Sequence, residues 1–350
     1  FNSKTNVNTN PGQETIYIGT GHRLKTGDAL VYSSGTGNAL GGLVNGATYY
    51  AIVDDPSTGK IRLATTQANA NAGQAINLTP LSPSDPGTAQ TLTYRVPGAL
   101  QVTAEHTAQP NSKVRSLAGG LFGGTGSDIE NSVTATVEAK IGDGVKVIAE
   151  DLTVEAINHV SKAMLSGGHI NGEMGGLIAG GGADSLTTIN LTTLTTIGNN
   201  AWLEVVGNVA SPGDFTIRAL TDIVANEKIV LFAAGGLSGL FADAAILANT
   251  DLARVAIGDA ELRSVGAITI SARGQGQVTT LVDAEAYGAG TLITGTAEGV
   301  LRTTNEVDIA AGAHILAKGD LNISAGTDAN FARDQYTMEV RHDSFAGSAI

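Results

Sequence analysis

Nine residues of this chain have the spacing of a cation site. GGTGSDIEN, residues 123–131, places Gly123, Gly124, Gly126 and Asp128 where the pattern G-G-x-G-x-D-x-U-x sets the glycines and the aspartate that hold calcium between consecutive turns. Calcium takes about six to eight oxygen ligands, and one such turn supplies only part of that shell, so the chemistry calls for a second nonapeptide directly after the first. Here the nearest equivalent lies 56 residues away, where Asp128 aligns with Asp184 and then with Ala244 and Thr296. The apolar residue also comes one place early, at Ile129, with Glu130 in its position. Asp128 is therefore a weak candidate calcium ligand, the same residues read more simply as a glycine corner, and no cofactor is expected.

Other residue types that carry chemistry are dispersed. Asp283 with Glu285, and Glu306 with Asp308, are spaced two apart and share a strand face, the placement a polysaccharide-cleaving carboxylate pair would need. A solvated face explains them more simply, and Trp202 is the one tryptophan where carbohydrate subsites want several aromatic platforms. His22, His106, His159, His169, His314 and His342 are scattered without metal-ligand spacing. GGLSGL around Ser238 misses the G-x-S-x-G nucleophile elbow by one position. No residue is assigned a catalytic or cofactor-binding role, and the chain is not expected to be an enzyme.

The elements that would position such residues follow from composition. Aromatics make up 4% of the chain and charged residues 15%, while Gly accounts for 46 of 350 residues, so bulk comes from Ala, Val, Leu, Ile and Thr. That balance favours short β-branched strands joined by many turns over exposed helices. A net charge of −13 without a basic stripe excludes a nucleic-acid partner, and the absence of Cys excludes disulfides and thiolate chemistry. No apolar run approaches membrane-spanning length, so no membrane insertion is expected in this segment. The chain starts at Phe1 and stops inside a patterned stretch, as a piece of a longer protein would.

Three regions emerge. Residues 1–12 are polar and aperiodic, predicting an extended arm or linker. Residues 13–98 carry the strand signals ETIYIG, ALVYSS, ATYYAIV, KIRLAT, AINLT and TLTYRV, bounded by Gly, Asp or Pro, which predict a small antiparallel β module. TTQANANAGQ between them suits a helical turn or two.

Residues 99–350 repeat themselves. Gly119-Gly120-Leu121, Gly175-Gly176-Leu177 and Gly235-Gly236-Leu237 recur, with a weaker copy at 287–290. Ile141, Ile197, Ile257 and Ile309 each fall 20 residues after Leu121, Leu177, Leu237 and Ala289. Strand pairs follow, VKVIAEDLTVEA, WLEVVGNVASPGDFTIRA, ELRSVGAITISA and HILAKGDLNISA, closing at Ala156, Ala219, Ala272 and Ala325, with a truncated copy ending at Ala104. The unit is about 52 to 63 residues, and its length varies at loops such as Ser211-Pro212-Gly213. SVTATVEAKIG alternates with period 2, which is strand. The fold class expected is all-β, the small antiparallel module followed by an elongated, parallel β-helix-like solenoid. In it the three corner leucines and the four isoleucines point inward.

Two resemblances carry these features further. GHRLKTGDALVY, GGLVNGATYYAIVDD and KIRLATT resemble a β module found in many copies in giant bacterial surface and secreted proteins, and similar openings occur in phage tail modules. GDLNISA, GAITISA and EDLTVEA resemble the strand repeats of filamentous-haemagglutinin-type exoproteins, right-handed parallel β-helices that act as adhesins. These resemblances imply an extracellular or bacterial cell-surface location and a structural role as adhesin stalk or filament subunit. The partners implied are further copies, neighbouring domains of the same long chain, or a host or cell-surface ligand. A β-helix carbohydrate-active enzyme and a phage-like fibre are the alternatives.

Overall fold

The structure is a computed structural model that describes all residues except 23, 86–88, 96–97, 208–211, 328–332 and 349–350, so Ser211 of the predicted insertion lies outside it. The chain is all-β, 66% strand and 2% helix. It divides into two compact units, Phe1–Pro97 and Gly98–Ile350.

In the first unit, strands Val7–Asn8, Thr15–Tyr17, Lys60–Ala64, Thr48–Ile52, Ala29–Ser33 and Thr91–Tyr94 lie side by side in that order. Every pairing is antiparallel. Alternation puts Leu30 and Tyr32 of ALVYS on the buried side, where they meet Ile16, Leu40, Ala51, Ile61 and Leu63. Gln67–Asn71 is a single helical turn, capped by the Thr66 hydroxyl accepting from the Asn69 amide. AINLT is not a strand; Thr79 only bridges Gly41, and Leu78 packs into the core.

Residues 1–12, expected as an extended arm or linker, pair with the rest of the first unit. Val7 and Asn8 pair with Ile16 and Thr15, Asn2 bridges Ala89, and the Phe1 amino group donates to the Gln90 carbonyl at 2.9 Å. The segment is held by its backbone and by local asparagine bonds, such as the Asn2 amide to Asn6 Oδ1 at 2.7 Å. Neither leaves an apolar period in the sequence.

In the second unit every pairing between strands is parallel. Leu100–Ala108, Leu152–Lys162, Phe215–Ile257, Ile268–Tyr287 and Leu321–Ala325 are neighbours, and Ala104, Ala156, Ala219, Ala272 and Ala325 form one row of register partners. Ile141, Ile197, Ile257 and Ile309 form another. The predicted strand pairs separate: Lys146–Ala149, Trp202–Val205, Glu261–Ser264 and His314–Ala317 make their own four-stranded sheet, and the strand after each joins the ten-stranded one. The turns after the isoleucines are also linked between repeats. The Asn199 amide donates to Asp143 Oδ1 at 2.7 Å and the Asp259 amide to Asn199 Oδ1 at 3.0 Å.

Inward residues alternate along each strand. One cluster gathers strand ends (Ile197, Ile257), short strands (Leu203, Leu262) and strand starts (Val154, Ile217). Further along, Ile223 meets Ile246, and Ile229 and Leu231 meet Leu240 and Ala242, so the segments before and after each glycine corner face one another. The interior is filled by Ala, Val and Ile, as the scarcity of aromatics requires.

The isoleucine row is not uniform, which corrects the expectation for Ile309. Ile141, Ile197 and Ile257 are buried, but Ile309 is 38% exposed. It shares its layer with Leu316, Leu321, Ile323 and Val340, which are exposed as well among the described residues.

Candidate functional site

The glycine corners place an apolar edge at the surface. A Cβ on Gly176 would stand 2.3 Å from the Gly120 carbonyl oxygen, one on Gly235 2.5 Å from that of Gly176, and one on Gly288 2.3 Å from that of Gly235. Corners stack backbone on backbone, and only glycine permits the approach.

The corner leucines point outward, contrary to the inward placement expected. Leu121, Leu177 and Leu237 are 63%, 59% and 56% exposed. The reason is a change of parity. Residues 229, 231 and 233 face inward before the corner and residues 240, 242 and 244 after it, so the leucine falls where the strand changes its inner side. The constant spacing of 20 also conceals a shift. Leu237 is the register partner of Ile178 and Gly290, Leu177 has none, and Asn249 is the extra residue by which the next strand regains step.

Phe122, Ile178, Phe241 and Leu292 near the corners are exposed as well, which gives the leucines an apolar strip. Ile178, Leu237, Ser238, Gly290 and Leu292 line a shallow groove along it. Phe232, Tyr287 and Phe345 extend it as a tilted stack, with successive ring centroids 5.6 Å apart. A patch of this kind is the usual mark of an interaction surface. Ser238 is part of the corner itself, its hydroxyl donating to the Tyr287 carbonyl at 3.1 Å.

The acidic residues take different places from those the alignment assigned. Asp184 is in register with Asp128 on one side and with Asp243, not Ala244, on the other; Thr296 follows, its hydroxyl donating to Asp243 Oδ1 at 2.8 Å. Partial burial, then the charges of Asp243 and Asp128, push the Asp184 carboxyl above its ordinary range. Among the described residues no three His, Asp or Glu side chains converge as a metal site. Glu306 and Asp308 both pair with Arg254 of the preceding repeat. Asp283 and Glu285 alternate with buried Ala284 and Ala286 on the outer face, and Glu285 accepts from the Tyr287 hydroxyl at 3.3 Å.

Several charged groups lie inside. Glu155 would be raised by burial, but the Arg218 guanidinium at 2.6 Å, with Gln101 and Thr103, more than offsets this and holds it low. Asp251 is 2% exposed, and no hydrogen bond of ordinary length reaches either of its oxygens among the described residues. Burial drives its carboxyl up to about 7; the nearby Thr221 hydroxyl opposes this, while Asp222 and Asp334 add to it. Lys162, His169, Thr187 and Glu227 meet at a second buried point. Sequence reasoning passed over this cluster because its members come from separate strands. The available signal was a charged residue at an inward slot of an alternating strand, Lys162 after Val160 and Glu227 between Ala225 and Ile229.

No family model, curated protein or solved structure matches the chain.

Proposed function

We propose that the chain is a structural, non-catalytic segment of a large bacterial surface protein, an extracellular adhesin stalk or filament subunit. In this reading residues 99–350 wind as a β-solenoid and the N-terminal module is one of its neighbouring domains. The observation that carries it is the alanine row: five successive repeats hold the same residue in one parallel register. A stack in which each repeat is the template for the next gains length with every repeat added, and reach is what a stalk provides. The exposed strip along the corners gives such a shaft a lateral surface through which further copies or a cell-surface ligand would bind. An acidic chain without Cys suits an extracellular setting.

Electron microscopy of the purified chain tests the reading. Rods or filaments are the expected particles, and globular ones would overturn it. Depolymerisation of a polysaccharide panel that is lost on Asp283→Ala or Glu306→Ala would replace it with the enzyme.

A further inference from the structure

The buried cluster around Lys162 brings an amine, a carboxyl group, a hydroxyl and an imidazole together. Lys162 ends the strand Leu152–Lys162, and Glu227 lies two residues beyond Ala225, the register partner of Lys162 in the next repeat. Both side chains are fully buried, and Nζ is in direct contact with Glu227 Oε2. Nζ donates to Thr187 Oγ1 at 2.7 Å, and the Thr187 hydroxyl donates to Glu227 Oε2 at 3.0 Å.

His169 closes the site on its other side. Its Nε2 faces the Ala163 carbonyl at 3.1 Å and so carries a hydrogen, while the lone pair of its Nδ1 accepts from the Lys228 amide at 3.0 Å. Glu227 Oε1 sits 3.2 Å from that same Nδ1 and has no other partner. Burial pushes the Lys162 ammonium towards the neutral amine, which the Glu227 charge opposes, and burial likewise pushes His169 towards the neutral ring. An amine and a carboxyl group in contact, away from water, are a reactant pair.

We propose that Lys162 and Glu227 condense into an intramolecular amide crosslink that staples one repeat to the next. Nζ attacks Cδ of Glu227, two of the three protons that the pair carries pass to Oε1 while one stays on the nitrogen, and the Cδ–Oε1 bond breaks as water departs. Oε2 stays as the amide oxygen, still held by the Thr187 hydroxyl. No oxidant or co-reactant is consumed. The bond closes a loop between residues 65 apart, a covalent closure that a chain without Cys has no disulfide to supply.

Intact and peptide mass spectrometry of the purified wild-type chain decides the matter, independently of whether the chain forms rods. The folded protein is expected to weigh one water molecule less than its sequence. Trypsin is expected to spare Lys162 and to release it joined to the peptide 219–228, which contains Glu227. Lys162→Met should keep the full mass; if that variant fails to fold, wild type held unfolded in guanidinium serves instead and should also keep it. Full mass and normal cleavage after Lys162 in folded wild type, following prolonged incubation, would overturn the proposal and leave a buried ion pair. Water loss that maps to any other residue overturns it equally.

Discussion

In the first unit the largest fully buried side chain is Tyr32, and its surroundings occur once. Its hydroxyl donates to Gln90 Oε1 at 2.6 Å and accepts from the Leu40 amide at 2.8 Å, joining the strand Ala29–Ser33 to two segments outside the sheet. In the second unit the buried positions are rows, Ala on Ala and Ile on Ile, and one layer resembles the next. The module depends on particular side chains meeting from distant places, whereas the parallel ladder depends on the same small residue recurring at one level. Damage to the first should spread through a single core, while damage to the second should stay near its layer, because each repeat meets only its neighbours.

The largest expected effect separates the two by pH. In the module the buried Asp85 accepts from Asn38 Nδ2 at 2.7 Å, but in the ladder Asp251 lacks such a bond. Its folded value, raised to about 7 from 3.8, means the native state keeps a proton that the unfolded chain gives up. The resulting stability is complete below the unfolded value and is lost as pH rises to the folded one. The loss is on the order of 4 kcal/mol. Urea midpoints between about pH 4 and 8 should fall in wild type. Asp251→Asn should flatten that slope and be the more stable protein at the alkaline end.

Next come the two ends of the isoleucine row. Ile197→Ala should cost about 2 to 5 kcal/mol in denaturant unfolding, as other buried isoleucines do. Ile309→Ala, in the exposed layer, should cost less than about 1 kcal/mol. Equal losses would mean that another chain covers the last layer in solution.

Within the module, Tyr32→Phe leaves Gln90 Oε1 and the Leu40 amide without their shared partner and should cost about 1 to 3 kcal/mol. Hydrogen exchange should show protection lost across the sheet rather than at one strand.

The smallest effects test the corners. Gly235→Ala drives a methyl into the Gly176 carbonyl and should cost about 1 to 3 kcal/mol. Leu237→Ala at the same corner should change stability by less than about 0.5 kcal/mol, since its side chain already faces solvent. If the leucine proves the costlier of the two, the strip is covered in solution.

The all-β class was legible because period-2 alternation and β-branched composition act locally, before any partner strand is chosen. The rows of Ala and Ile left a trace for a related reason: a parallel stack repeats the residue type wherever it repeats the position. The corner leucines misled because a glycine turn can reverse which parity faces in, and hydropathy alone gives no sign of the reversal. The constant spacing misled as well, since Leu237 stands opposite Ile178 rather than Leu177 and the extra Asn249 makes up that one residue. Residues 1–12 were missed because backbone and amide bonds leave no periodic signature.

What the sequence by itself determined is strand, turn and repeat, all consequences of side-chain shape and of spacing along one chain. Tertiary structure alone decided which faces are inside, which aspartates stand in line, and that Lys162, His169, Thr187 and Glu227 share one dry site. Those outcomes depend on register between strands dozens of residues apart, and a shift of one residue moves every side chain to the opposite face.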